Sequence, residues 1–583
     1  MNIYTKFSEI MKFNAIITFF LFVIACSFNA AYSQNISNTL GSYGVYRIKD
    51  NTTVFAELNQ SDGKLSLFGN LSIPVTTNSA TGVIYKGYTR FIHDYAPNNS
   101  YGLNTFIGMN AGNFAMVSPI AYECSYNTGI GPQSLALLTT GYENTSIGYR
   151  SQFNTTTGFK NTSLGSVSLQ NNTTGYQNTS IGSSSMYYNL NGYKNTSVGE
   201  SSMYYNTGGY NNVAMGYRSL MDNLVGYNNT ALGNVSLSNN VNGNSNTAIG
   251  YESLYLNDAG SENIAIGLSS LYGNTSGDGN IGIGVNALRL NNTGSYNIAL
   301  GYSSLRNSTG SLNIAIGYQS LFSSTSASNN VAIGSFSLNN VTTGAYNTGI
   351  GVNALFTQTT GSQNTVIGHS TGSTITTGTN LTLIGYNSQP SSPTVSNQVT
   401  LGNSSVTTLR CNVTTITSLS DARDKKNIKE LSLGLDFITK LQPRQFYWDK
   451  REWYDDNVSD GSKMQQLPTA GFIAQELDSL QSSENAEWLN LVMKDNPEKW
   501  EATTGNLLPV MVKAIQELKT KCDALESENK ILLSENKKSE ELKLQVEVLS
   551  GRLNELSKIT EELKNSVYVN ESKNLEVSNE IIK

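Results

Sequence analysis

Through the middle of the chain, apolar and polar positions recur every 17 residues. The run Asn-Thr-Ala-Ile-Gly, as at Asn246 to Gly250, ends on a glycine that returns at 131, 148, 165, 182, 199, 216, 233, 250, 267, 284, 301, 317, 334, 351, 368, 385 and 402. That is 17 copies, and every step is 17 residues except one of 16, between Gly301 and Gly317. Gly108, closing Asn104-Thr105-Phe106-Ile107-Gly108, looks like an earlier copy out of phase. The residue before each glycine is apolar, from Ile130 to Leu401, and the fourth after it is Leu or Met in 13 of 17 copies, from Leu135 to Leu355. The fourth residue before it is Asn in 15 of 17 copies, from Asn127 to Asn364, and the second before is nearly always Ala, Ser or Gly. Apart from Gln152, the departures from the Leu column fall in the last copies (Gly372, Gln389, Val406), as expected of coils that cap an array.

Seventeen residues are too few for a helix pair with its turns. The β-branched residues, tyrosines and short alternation predict two short strands per copy, joined by Gly and Asn turns. Each copy is then one coil of a parallel β-solenoid, bonded to the coils above and below. Stacked Asn side chains are expected to bond up and down their column. At ~4.8 Å per coil the array would be a rod roughly 80 Å long. Counting the Ile and Leu columns as two apolar anchors per coil, the core is thin. One chain is expected to bury too little apolar surface alone, which predicts an obligate homo-oligomer. These Asn-Thr-Ala-Ile-Gly repeats resemble the heads of trimeric autotransporter adhesins, and the resemblance implies trimeric left-handed parallel β-rolls.

Ahead of the array, residues 34–126 carry strand-period alternation at Val54 to Leu58 and Leu65 to Phe68 and are expected to form an N-terminal β cap region. Residues 1–33 read as a secretory signal: Lys6 and Lys12, an apolar stretch from Phe13 to Cys26, then Ala31-Tyr32-Ser33 with a cut before Gln34. Val23-Ile24-Ala25-Cys26 offers an alternative, a lipoprotein box that would leave a lipid anchor on Cys26. No later segment has ~18 consecutive apolar residues. The mature protein is therefore expected to be secreted or held at the cell surface, without a transmembrane span.

Composition narrows the chemistry. Charged residues are 14% of the chain with a net charge of -6, so no basic field invites nucleic acid. Two histidines in the whole chain, His93 and His369, argue against a His-based triad or a His-rich metal site, and His93 reads as structural; no cofactor or metal is expected. Cysteines 26, 124, 411 and 522 do not form a disulfide framework. The repeats hold seven acids, Glu143, Glu200, Asp222, Glu252, Asp258, Glu262 and Asp278, which do not recur in one column. A polysaccharide-degrading spike with paired carboxylates is thus the second reading. A glycan-binding adhesin using tyrosines such as Tyr187-Tyr188 and Tyr204-Tyr205 is the third.

At Ser420 the composition changes. Four blocks follow: Ser420-Asp421-Ala422-Arg423-Asp424-Lys425-Lys426-Asn427-Ile428, then Leu441 to Trp448, Gly471-Phe472-Ile473-Ala474-Gln475-Glu476-Leu477, and Leu507 to Leu518. A serine needs a base to become a nucleophile, and with no histidine here a lysine is the available one. The amine must be neutral, which burial or nearby positive charge such as Arg423 and Lys426 would favour. The plainer alternative is a charged turn capping a helix. In this order the blocks resemble the C-terminal intramolecular chaperone domain of phage tailspikes and endosialidases, an auto-processing peptidase family. The resemblance implies Ser420 as nucleophile, Lys425 as base, Asp421 and Arg423 as supporting residues, and Leu419–Ser420 as the scissile bond. Beyond it, Met511, Ile515, Leu518, Cys522, Leu525 and Leu532 follow 3-4 spacing with Asn529 and Asn536 at seam positions; after a phase slip Leu542, Val546, Leu549, Leu553, Leu556, Leu563 and Val567 resume it. The expected fold class is mostly β: a trimeric β-solenoid shaft over 127–406, an α+β chaperone domain over 420–518 and a coiled-coil tail over 519–583. The partner is the chain itself, as a homotrimer, with a surface glycan as a further candidate.

Overall fold

The computed structural model describes residues 37–40, 45–49, 54–59, 64–68, 71–410, 412 and 420–578. The signal segment, Cys26, Cys411 and Leu419 lie outside the described residues. The chain divides into two units, Met1–Ser295 and Tyr296–Lys583.

The first unit opens with an antiparallel sheet of Ser37–Leu40, Val45–Lys49, Val54–Asn59 and Leu65–Leu67. Ile84–Lys86 and Thr89–His93 then pair antiparallel, and the latter lies antiparallel to Thr105–Ile107. With Thr105–Ile107 the parallel stack begins: it pairs in register with Thr128–Ile130, so the out-of-phase copy at Gly108 is a true first coil. From there each three-residue strand lies on its counterpart one repeat later, as Thr179 on Thr196 and Ser180 on Ser197. The second unit repeats the pattern from Ile298–Leu300 to Val399–Leu401. A parallel β-solenoid is therefore the architecture of the repeats.

Two details differ from the sequence reading. Each coil holds one three-residue strand rather than two, and turns carry the rest. The turns are tight because three non-glycine positions per coil sit in the left-handed region, for example Gln177 (φ 55), Ser184 (φ 56) and Met186 (φ 49). Moreover, only the Leu/Met column faces inward. In a three-residue strand the middle side chain points to one face and its neighbours to the other. Ser180 is buried, so Ile181 faces out; Leu164, Met215 and Ile283 are 47%, 45% and 39% exposed. The interior of a coil is accordingly half polar.

That polar interior is satisfied by stacking. Asn178 donates from its side-chain amide to Asn161 Oδ1 at 3.1 Å and to Gly192 O at 2.8 Å, while its backbone N–H also donates to Asn161 Oδ1 at 3.0 Å. A second Asn column runs through Asn189, Asn206, Asn223, Asn240 and Asn257, each donating to the Asn one coil earlier at 2.7 or 2.8 Å. The Asn127 column ends at Leu381, whose N–H still donates to Asn364 Oδ1 at 2.9 Å.

His93 ends the strand that lies against the first coil. It is buried, bonded through Nε2 to Ala111 O at 2.7 Å and stacked on Phe114. Burial pushes its pKa down from 6.5 to about 4, with Arg90 adding to the effect. Because the folded value lies below the unfolded one, its contribution is complete above pH 6.5 and is lost as pH falls toward 4. Hydrogen-exchange protection of the Gly108 and Gly112 amides is expected to fall across that window, and His93→Phe to flatten the dependence. An unchanged slope in the variant would show that another group governs it.

Candidate active site

The second unit ends in a small domain built around Phe437, Leu477, Leu489, Leu491, Val492, Leu507 and Val510. Three helices contribute: α1 (Leu435–Ile438), α2 (Ala474–Ser483) and α3 (Leu508–Ser578). Sequence blocks two to four converge here. Arg444–Phe446 pairs antiparallel with Thr469–Gly471. The Arg444 guanidinium donates through Nε and Nη2 to the Glu476 carboxylate at 3.0 and 2.7 Å, and this pairing holds the Glu476 carboxyl below its ordinary value. Leu507 and Val510 bring the start of α3 into the same core.

The first block stays outside that core, and every residue from Ser420 to Glu430 is exposed. Asp421 caps a 3-10 turn, Ala422–Asp424, by accepting from Arg423 N at 2.8 Å. Its carboxylate also takes the Arg423 guanidinium at 2.6 Å, which lowers the Asp421 pKa. The turn brings the chain back on itself, so that Lys425 Nζ donates to Ser420 Oγ and, at 3.3 Å, to Ser420 O. The structure thus joins Ser420 to Lys425, and separately pairs Asp421 with Arg423. Arg423 is committed to Asp421, so its charge is largely cancelled next to Lys425 rather than directed at it.

On the repeats, no hydrogen bond among the described residues joins two of the seven acids; Glu252 accepts from Ser269 at 3.2 Å and Asp278 from Ser261 N at 2.8 Å. Aromatic side chains stack in files. Tyr142, Phe159, Tyr176, Tyr193, Tyr210 and Tyr227 follow each other at 4.9 Å with planes within 7°. Tyr187 covers Tyr204 and Tyr188 covers Tyr205 at 5.1 and 5.3 Å. Ring faces that a sugar would need are occupied by the next ring, leaving edges toward solvent. Among the described residues no cluster of three or more His, Cys, Asp or Glu could hold a metal, and no helix is long and apolar enough to cross a membrane.

Two residues that organise this domain carry no signal in the sequence. One is Glu476, joined to Arg444. The other is Glu517 on α3, whose carboxylate accepts from Leu435 N at 2.7 Å.

A β-solenoid shaft followed by a compact domain that opens on a Ser–Lys pair defines the class. The family model described as chaperone of endosialidase, by its name a peptidase family, matches residues 420–484, which hold the first three blocks. No curated protein and no solved structure matches the chain. Residues 420–484 thus match the chaperone-of-endosialidase family, and in the chain they follow a solenoid.

Proposed function

We propose that the protein is an exported, fibre-like homotrimer whose C-terminal domain drives assembly and then releases itself by cutting between Leu419 and Ser420. The observation that carries this reading is the Lys425–Ser420 side-chain contact at the first residue of the family match. In the reaction, Ser420 Oγ attacks the Leu419 carbonyl carbon while the Lys425 amine takes the hydroxyl proton. The Leu419–Ser420 C–N bond breaks and that proton passes to the departing Ser420 nitrogen. The acyl group is left as an ester on Ser420 Oγ. Water then hydrolyses the ester, giving a Leu419 carboxylate and restoring the Ser420 hydroxyl.

A lysine is a base only when neutral, and desolvation favours that form. Residues 420–430 are exposed in the single chain, so the cover must come from neighbouring copies. Two surfaces support such copies. The outward Ile/Leu column presents one apolar side chain per coil, and the helix α3 leaves Met511, Ile515, Leu518 and Leu525 exposed at 48%, 64%, 48% and 58%. A helical clamp raises local concentration and sets register for slow parallel β pairing. Its removal after folding leaves the shaft kinetically trapped.

Mass analysis of the purified wild type is expected to show a released piece of 583 − 420 + 1 = 164 residues beginning at Ser420. That piece holds one cysteine, Cys522, exposed and at a seam position. Oxidising the assembled protein before denaturation is expected to give disulfide-linked pairs of this piece plus a leftover single chain, as three parallel helices allow. Cys522→Ser should abolish the pairs. A piece that stays wholly unpaired would remove the parallel bundle from the account.

A further inference from the structure

We infer that Glu517 couples bundling of the tail helix to self-cutting, as a positioning residue for the Ser420–Lys425 pair; the inference rests on the proposed self-cleavage. The first turns of α3 carry two faces. Val510 and Ala514, with Leu507 just ahead of the helix, are buried in their own domain, while Met511, Ile515 and Leu518 face outward. Glu517 stands beside seam residue Leu518, yet its side chain reaches back into its own domain. It accepts from Leu435 N at 2.7 Å, a bond spanning 82 residues of sequence. The Gly434 α-carbon presses against the same carboxylate: a methyl group there would lie 2.5 Å from Glu517 Oε1.

The place of this contact gives it its consequence. From Ser420 through Glu430 nothing is buried. Leu431 and Leu433 are the first residues after the pair to pack against the core, and Gly434 and Leu435 are then pinned by Glu517. Lys513, one turn earlier on α3, adds a looser tie to Glu430 at 3.8 Å. The exposed segment that holds the nucleophile and its base is therefore tethered to the helix that meets the partner copies. When α3 is fixed in a bundle, Glu517 fixes the start of α1, and with it where Ser420 and Lys425 lie relative to the neighbouring chains. A reacting group displaced by about 1 Å loses on the order of a hundredfold in rate.

The test compares full-length wild type with Glu517→Ala, Gly434→Ala and Glu517→Gln. Two quantities are read from each preparation: the rate at which the 164-residue piece appears (583 − 420 + 1) and the yield of Cys522 disulfide pairs. Glu517→Ala and Gly434→Ala, which break the contact from opposite sides, are expected to slow cutting by about ten- to a hundredfold with the disulfide yield kept. Glu517→Gln retains an acceptor oxygen for Leu435 N and is expected to cut at close to the wild-type rate. Alanine variants that cut at the wild-type rate overturn the inference, as does a loss of pairing in step with cutting, which is what a merely structural residue would give. A wild type that remains uncut overturns the self-cleavage reading itself, and this inference with it.

Discussion

Ser420→Ala is expected to leave the chain at full length under conditions in which the wild type cuts, with trimer assembly unchanged. The substitution removes one oxygen from an exposed residue that contributes nothing to the buried core. Its stability cost is therefore small, while the proposed nucleophile is lost entirely. Removing one member of a nucleophile–base pair costs at least about a thousandfold in rate. Lys425→Arg is the sharper companion. Arginine keeps the positive charge and can still donate to Ser420, but it does not give up a proton near neutral pH. If Lys425 only anchors the turn, Lys425→Arg should cut almost as well as wild type. If it is the base, cutting falls as far as in Ser420→Ala. Gel separation under denaturing conditions, with sedimentation of the undenatured protein, reads both quantities. A 164-residue piece (583 − 420 + 1) released from the Ser420→Ala chain would end the peptidase reading and leave the chaperone reading standing.

The coil was legible in the sequence because a parallel stack places each column on itself. A ladder such as Asn161 to Asn178 therefore appears directly as a 17-residue repeat of one residue type. The Ser420–Lys425 pair came from the family resemblance rather than from any repeat, and its contact is local: five residues apart, the two need only one turn to meet. The direction of the Ile column was not. With three-residue strands, alternation covers a single inward position, and Ile looks as much like core as Leu does. The left-handed turns were equally hidden. Leu, Met and Ser occupy positions where glycine or asparagine would have announced a turn, and stacking on the next coil holds them there. The ties Arg444–Glu476 and Leu435–Glu517 span 32 and 82 residues, and no local pattern foretells which charged residues a folded core brings together.

Gly182→Ala is expected to open the shaft locally. Gly182 has φ 134, in the half of the map that L side chains avoid, and the same column runs from φ 122 to φ 142 between Gly131 and Gly385. Conformational cost alone is about 1–3 kcal/mol. The added methyl also meets Gly199, 2.6 Å from its carbonyl carbon. That neighbour is backbone, held in turn by its own N–H to Ile181 O at 2.7 Å, so it cannot rotate aside as a side chain would. Relief requires the two coils to part, which breaks the Thr179–Thr196 pairing and strains the Asn178–Asn195 ladder together. Added to the conformational cost, the loss is expected to exceed about 3 kcal/mol. In a stacked array each coil touches only its neighbours, so the damage should stay near the substitution instead of melting the whole shaft. Limited proteolysis is expected to nick the variant within the coils around residues 165–216, with Ser183→Ala, one residue on and exposed, behaving as wild type. An uncut Gly182→Ala shaft would mean that the coils can slide apart at little cost, and the glycine column would then need another explanation.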